Sequence, residues 1–309
     1  MKADGVFEGG GIRGIAFAGA LQAMEEHDVE WVRLAGTSVG SIIAALLAAG
    51  YSSQEIRKLL LDFDYHQLKG RTWLNRIPII GNVIHLFVHL GFYNNHYLEQ
   101  WIHERLLSKG VQTFADLPDE RLKIIASDIT NGQMIVFPDD LDRYGIDIEQ
   151  FNISKAIAMS TSLPFFYRPV VWRTNNSKKS YIIDGGILSN FPIWLFDREN
   201  PEFPTFGFHF VKDEVHVQAT IATPIHLAKS IFKTMMQAHD MKYFTASTSD
   251  RTIKIPTGDI TATDFDLTED MLAFLYQSGY DSAVKFLSKW DFEVHKQKRK
   301  LENTQDGST

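Results

Sequence analysis

The chain opens by repeating one plan: a short apolar strand, a glycine-rich turn and a helix. A strand around Gly5 to Glu8 runs into Gly9-Gly10-Gly11 and then a helix in which Ile15, Ala18, Leu21 and Met24 recur every third residue. A second strand, Trp31 to Ala35, runs into Gly36-Thr37-Ser38-Val39-Gly40 and a helix over Ser41 to Ala49, stopped by Gly50. That helix is Ala, Leu and Ile nearly all round, so it needs cover on every side. Two such units in succession predict an α/β fold with a mostly parallel central sheet.

With 309 residues, 44% of them hydrophobic and 22% charged, one domain is expected over residues 1–290, followed by a polar tail over 291–309. A chain of that length buries roughly three quarters of its unfolded surface, so no disulfide staple is required. None is possible, because there is no cysteine; thiolate metal sites and a cysteine nucleophile are excluded with it. The formal net charge of -7 argues against a nucleic-acid partner, which needs a basic surface. The one dense basic run, Lys296, Lys298, Arg299 and Lys300, reads as part of a solvated tail. Met1 to Glu8 holds no apolar signal region, and no stretch reaches the roughly 20 apolar residues of a bilayer span. A cytoplasmic protein is expected, with any membrane attachment peripheral. Oligomeric state is not legible.

Further strands are expected at Leu122 to Asp128 and Met134 to Phe137, around the hairpin signal Asn131-Gly132. Others are expected at Arg168 to Trp172, Tyr181 to Asp184 and Thr205 to Val211. Helices are expected over Gln54 to Leu61, from a cap at Asn94 or Asn95 to Gly110, over Ser154 to Met159, from Pro224 toward Ser247, and over Glu269 to Lys289. Between His66 and Tyr93 lies an insertion whose stretch Ile77 to Phe92 is too apolar for one helix face to hide. It reads either as a lid or lipid-facing surface, or as a helix buried against the core.

Gly36-x-Ser38-x-Gly40 sits where a strand meets a helix, the setting of a nucleophile elbow: the turn is sharp, and a β-carbon beside the serine would crowd it. The pattern alone is common; the strand before it and the buried helix after it give it weight. Ser38 comes too early for the usual Ser, Asp, His enzyme, in which several strands precede the serine. Gly9-Gly10-Gly11-Ile12-Arg13-Gly14 also matches the dinucleotide pattern G-x-G-x-x-G. That reading needs an acid at the end of the second strand, where this chain has the serine turn instead. Three consecutive glycines expose backbone amides, as an oxyanion hole requires. Asp184-Gly185-Gly186 follows an apolar strand and places a carboxylate at its C-terminal end.

Together these segments resemble the patatin-like phospholipase family: Gly9 to Gly14, Gly36 to Gly40, Asp184-Gly185-Gly186 continuing through Asn190 and Pro192, and Ser160-Thr161-Ser162-Leu163-Pro164 as its S-x-S-x-P segment. The resemblance runs from about Val6 to Phe196. It implies a three-layer α/β/α fold and a lipid acyl hydrolase of the phospholipase A or lipase type. It also implies a dyad of Ser38 and Asp184, an oxyanion hole from Gly9, Gly10 and Gly11 with Arg13 at the loop's basic position, and Gly36, Gly40, Gly185 and Gly186 in support. No cofactor and no metal are implied. The partner is a lipid substrate, expected at a membrane or micelle surface. Val39 stands where a smaller residue is common, and is expected to narrow the acyl pocket.

Two other functions use the same residues or none of them: an acyltransferase working through the same acyl-enzyme, and a catalytically silent lipid-binding protein. The intact Ser38, Asp184 and glycine loop argue against the second. His85 and His89 lack the Glu of a H-E-x-x-H zinc motif and read as packing or surface residues. His209, on a predicted strand, is the best-placed histidine should a third member exist.

Overall fold

The computed structural model describes residues 1–69, 90–173, 179–211, 221, 230, 234, 246–262, 264 and 266–297. The repeated opening plan is present. Strand β1 (Lys2–Phe7) leads through a single 3-10 turn at Gly11–Gly14 into α1 (Ile15–Glu26), and β2 (Glu30–Thr37) leads into α2 (Val39–Ala48). β2 and α2 approach closer than expected, leaving Ser38 alone between them. All of α2 is buried, as its composition requires. Helix α3 (Ser53–Leu61) starts at a capping box in which Ser52 and Glu55 satisfy each other's backbone amides.

The remaining elements are β3 (Gly91–Tyr93), α4 (His96–Ser108), β4 (Leu122–Asp128), β5 (Gln133–Phe137), α5 (Ile153–Ser160), β6 (Phe165–Tyr167), β7 (Val170–Arg173), β8 (Lys179–Asp184), β9 (Thr205–Val211), α6 (Ala246–Asp250), β10 (Thr252–Pro256) and α7 (Glu269–Leu287). The main sheet has the order β10-β9-β1-β2-β4-β8-β7, with β5 paired to β4. From β10 to β4 every pairing is parallel; β5, β8 and β7 are joined antiparallel. The sheet is thus mostly parallel with an antiparallel end, flanked by helices in an α/β/α arrangement.

The parallel half has an aromatic centre. Phe7 stacks on Phe208 at 4.6 Å, and Phe17 of α1 stacks on Phe210 at 4.4 Å. Over this face α7 crosses α1 at Gly19 and Gly279. A side chain at either glycine would strike the backbone carbonyl of the other helix, at Tyr276 or Ala16.

Several expectations change. Asp128 and Gln133 are the last pair of the β4–β5 hairpin, so its loop is longer than a two-residue Asn-Gly turn; Asp128 accepts from the amides of Thr130 and Asn131 to hold it. Asn95 stands at the start of α4 without capping it: its amide donates to Ala158 O at 2.9 Å and Thr161 Oγ1 at 2.7 Å. β3 and β6 pair as a separate two-stranded sheet, so the end of the apolar stretch is strand rather than helix. Its remainder, residues 77–89 with His85 and His89, lies outside the described residues, as does most of the helix expected after Pro224. Residues 292–297, read as tail, are helical, and His295 among them is buried near Trp290. Among the described residues, no helix is long and apolar enough to cross a membrane, and no group of three or more His, Asp or Glu is arranged to hold a metal ion.

Candidate active site

Phe7, the last residue of β1, pairs with Gly36 of β2 on one side and with Phe208 of β9 on the other. The residues that follow, Glu8, Thr37 and His209, therefore gather at one edge of the sheet. Ser38 comes next after Thr37, at φ 52 and ψ -125. Such a backbone costs a non-glycine residue of order 1–3 kcal/mol and persists only where its surroundings hold it. They do. A side chain at Gly36 would collide with the Gly40 carbonyl, and one at Gly40 with the carbonyls of Phe7 and Glu8.

Asp184 reaches the same point from the antiparallel half. It pairs with Ala126 on β4, while Ile125 of β4 pairs with Thr37 on β2. This corrects the reason for its placement. β8 runs against the parallel strands, so no shared C-terminal edge delivers Asp184; the stagger of β8 on β4 does. Its carboxylate is buried and accepts a hydrogen bond from the Gly186 amide at 2.8 Å, and the Ser38 hydroxyl lies beside it. Burial disfavours its charged form and pushes its pKa up to about 6, the Gly186 amide and the Ser38 hydroxyl opposing that shift. Gly185 sits where a side chain would meet the Ile125 carbonyl, whereas Gly186 contributes an amide that other residues also carry.

The glycine loop lies over the serine. A β-carbon on Gly9 would be 3.3 Å from Ser38 Cβ, and would overlap Asn190 Oδ1. The Gly9 amide, however, donates to the Asn190 carbonyl at 3.0 Å and is not available to an oxyanion. The amides of Gly10 and Gly11 have no acceptor among the described residues. Arg13 is turned back on the loop: its Nε donates to the Gly10 carbonyl at 3.1 Å and its guanidinium lies 4.6 Å from the Phe210 ring centroid. Arg13 thus braces the loop.

A family model for patatin-like phospholipases matches residues 5–197. The chain belongs to the patatin-like phospholipase family. The protein YqhO of Bacillus subtilis (strain 168) is 38% identical over 294 residues, covering 94% of this chain and all of the relative. An intracellular phospholipase A2 of Caenorhabditis elegans is 30% identical over 199 residues, covering 60% of this chain and 16% of that much longer protein. Among solved structures, VipD from Legionella pneumophila has the same fold, with a TM-score of 0.56 at 20% identity; the match covers 93% of this chain and 66% of VipD.

This patatin-like site has a third support whose role the sequence did not disclose. The S-x-S segment holds both Ser38 and Asp184: Ser160 Oγ accepts from the Ser38 amide at 2.9 Å, and the Ser162 carbonyl accepts from the Asp184 amide at 3.0 Å. Thr37 adds a further tie, its hydroxyl donating to the Ser189 carbonyl at 2.9 Å. Val39 packs against the glycine loop's last residue. Its side chain is buried and fills the place a side chain on Gly14 would take, so the larger residue at 39 is matched by the smallest at 14. His209 lies 2.9 Å from Glu8 through Nδ1, and among the described residues neither Ser38 nor Asp184 has a histidine partner.

Proposed function

We propose that this chain is a lipid acyl hydrolase of the phospholipase A or lipase type, with Ser38 as nucleophile and Asp184 as its base. The observation that carries the reading is the meeting of Ser38 and a buried Asp184 on the one segment that ties both backbones, with the Ser38 hydroxyl beside a carboxylate whose pKa burial pushes up to about 6. An aspartate near 3.9 is a feeble base for a hydroxyl, and desolvation moves this one toward working pH. The family membership and the relatives named as phospholipase or lipid hydrolase support the substrate class.

In the proposed cycle, Ser38 Oγ attacks the ester carbonyl as its proton passes to Asp184. The carbonyl oxygen, now negative, is received by the Gly10 and Gly11 amides. Collapse expels the alcohol, which takes the proton from Asp184. Water then attacks the acyl-enzyme, giving a proton to Asp184, and the released Ser38 takes it back. An oxyanion donor is worth on the order of 100- to 1000-fold in rate, so the loop offsets the weakness of a carboxylate base. The lipid is expected at a bilayer or micelle surface, with the protein bound peripherally.

Labelling with a fluorophosphonate, followed by peptide mass spectrometry, tests the assignment. The adduct is expected on Ser38. An adduct on another residue, or undiminished labelling of Ser38→Ala, would overturn it. Adding a lipid alcohol to the turnover assay separates the chemistries, since acyl transfer to that alcohol in preference to water would replace hydrolase with acyltransferase.

A further inference from the structure

Between the end of β1 and the glycine loop stands one buried carboxylate that the proposed cycle does not use. Glu8 accepts from two donors on separate segments and lies against a third nitrogen. Oε1 takes the Asn190 amide at 2.7 Å; Oε2 takes the Phe210 backbone amide at 2.7 Å and lies 2.9 Å from His209 Nδ1. Each segment also touches the glycine loop. Asn190 accepts from the Gly9 amide through its carbonyl, and its Oδ1 occupies the space of a Gly9 side chain. The Phe210 ring occupies the space of a Gly10 side chain and lies under the Arg13 guanidinium.

The Asn190 side chain shows how strongly Glu8 acts. Its Oδ1 is buried with no hydrogen-bond partner among the described residues. An orphaned buried acceptor is destabilising, yet turning the amide over would set Oδ1 against the Glu8 carboxylate instead. A charge-assisted bond from Nδ2 to Glu8 is what holds it this way round. Asn190 is six residues after Asp184 in the chain, so the same contact joins the base's segment to the loop over Ser38.

We propose that Glu8 is a positioning residue for the reaction: through Asn190 and the end of β9 it sets where the Gly10 and Gly11 amides point relative to Ser38. The inference rests on the hydrolase reading given above. Glu8 touches neither Ser38 nor Asp184, and acts on the rate only through the loop. A carboxamide keeps its shape but loses one acceptor, so Glu8→Gln must face Asn190 or the Phe210 amide with an NH2 group.

The test is steady-state hydrolysis of a 4-nitrophenyl ester of a medium-chain fatty acid, with active sites counted by exhaustive fluorophosphonate titration. For Glu8→Gln, kcat per titrated site is expected to fall about 30-fold or more while KM stays within about threefold, as for a lost oxyanion interaction. Adding Asn190→Ala to Glu8→Gln is expected to cost no more than the worse single variant, because both act on one loop. A normal kcat per titrated site with only a lowered melting temperature would make Glu8 merely structural and overturn the inference. Multiplying losses in the double variant would overturn the route through Asn190. Should Glu8→Gln not fold, His209→Ala removes the ring that lies 2.9 Å from Glu8; an unchanged kcat there overturns the proposal, and a fall of about threefold or more at constant KM supports it. Turnover that Ser38→Ala does not reduce would overturn the hydrolase reading and this inference together. Ser38-dependent turnover with kcat of Glu8→Gln within about twofold of the parent would overturn the inference alone.

Discussion

Ser38 and Asp184 meet at one point but are held there at costs of different kinds. Ser38, at the end of a parallel strand, carries its cost in the backbone: φ is 52, and Gly36, Gly40 and the ends of β1 close around it. Asp184, at the end of an antiparallel strand, has an unexceptional backbone at φ -49 and ψ 133, and carries its cost as a buried charge. Strain in a backbone is indifferent to pH, while a desolvated carboxylate is not. The two halves of the sheet therefore respond to different perturbations, although the proposed chemistry requires both at once.

The largest effect expected is one in which the difference disappears. Ser38→Ala should lower ester turnover about 10,000-fold or more, and Asp184→Asn about 1000-fold or more, with the double variant no worse than Ser38→Ala. Losses that multiply would mean the two residues do not act as one unit.

Stability should then separate them. Asp184 has a raised pKa in the fold, so the neutral carboxyl is the favoured form there. Its stabilising contribution is complete below about pH 3.8 and is lost as pH rises toward about 6. Asparagine mimics the neutral form. Asp184→Asn should therefore unfold with the parent near pH 4 and above it by up to about 3 kcal/mol at pH 8, by denaturant titration. Over the same range kcat/KM of the parent should rise along a limb centred near pH 6. A stability gap that does not change with pH would remove the buried charge from Asp184's side of the comparison.

The glycine loop is next. A methyl group at Gly10 runs into the Phe210 ring, and displacement of the amides should reduce kcat about 100-fold with KM little altered. The smallest effect sharpens Ser38's side. Ser38→Gly should be more stable than Ser38→Ala by about 1 kcal/mol, because glycine tolerates the positive φ that alanine does not. Equal stabilities would show that the elbow is not strained.

Much of this architecture was legible because it is local. The run Gly36 to Gly40 between a strand and an all-apolar helix prescribes a tight turn, and the observed backbone at Ser38 is what that turn requires. What was not legible is relational. The polarity of β8 depends on which strand it pairs with, and nothing in Tyr181-Ile182-Ile183-Asp184 says antiparallel. Thr252-Ile253-Lys254-Ile255 alternates as a strand should, yet five residues between helical stretches are a weak signal. Glu8 drew attention only as a strand end. Its role follows from partners at Asn190, His209 and Phe210, which lie far off in sequence and come together only through the fold that pairs β1 with β9.

The family match stops at residue 197, whereas β1 does not end its obligations there: its second edge is taken by β9, and α1 beneath the glycine loop is clasped by α7 at Gly19 and Gly279. The signature and the folding unit are different objects. A gene fragment cut to the signature would carry every residue of the proposed chemistry while exposing a bare sheet edge and an oily helix face. Anyone trimming this protein for use should count the last helix as part of the machine.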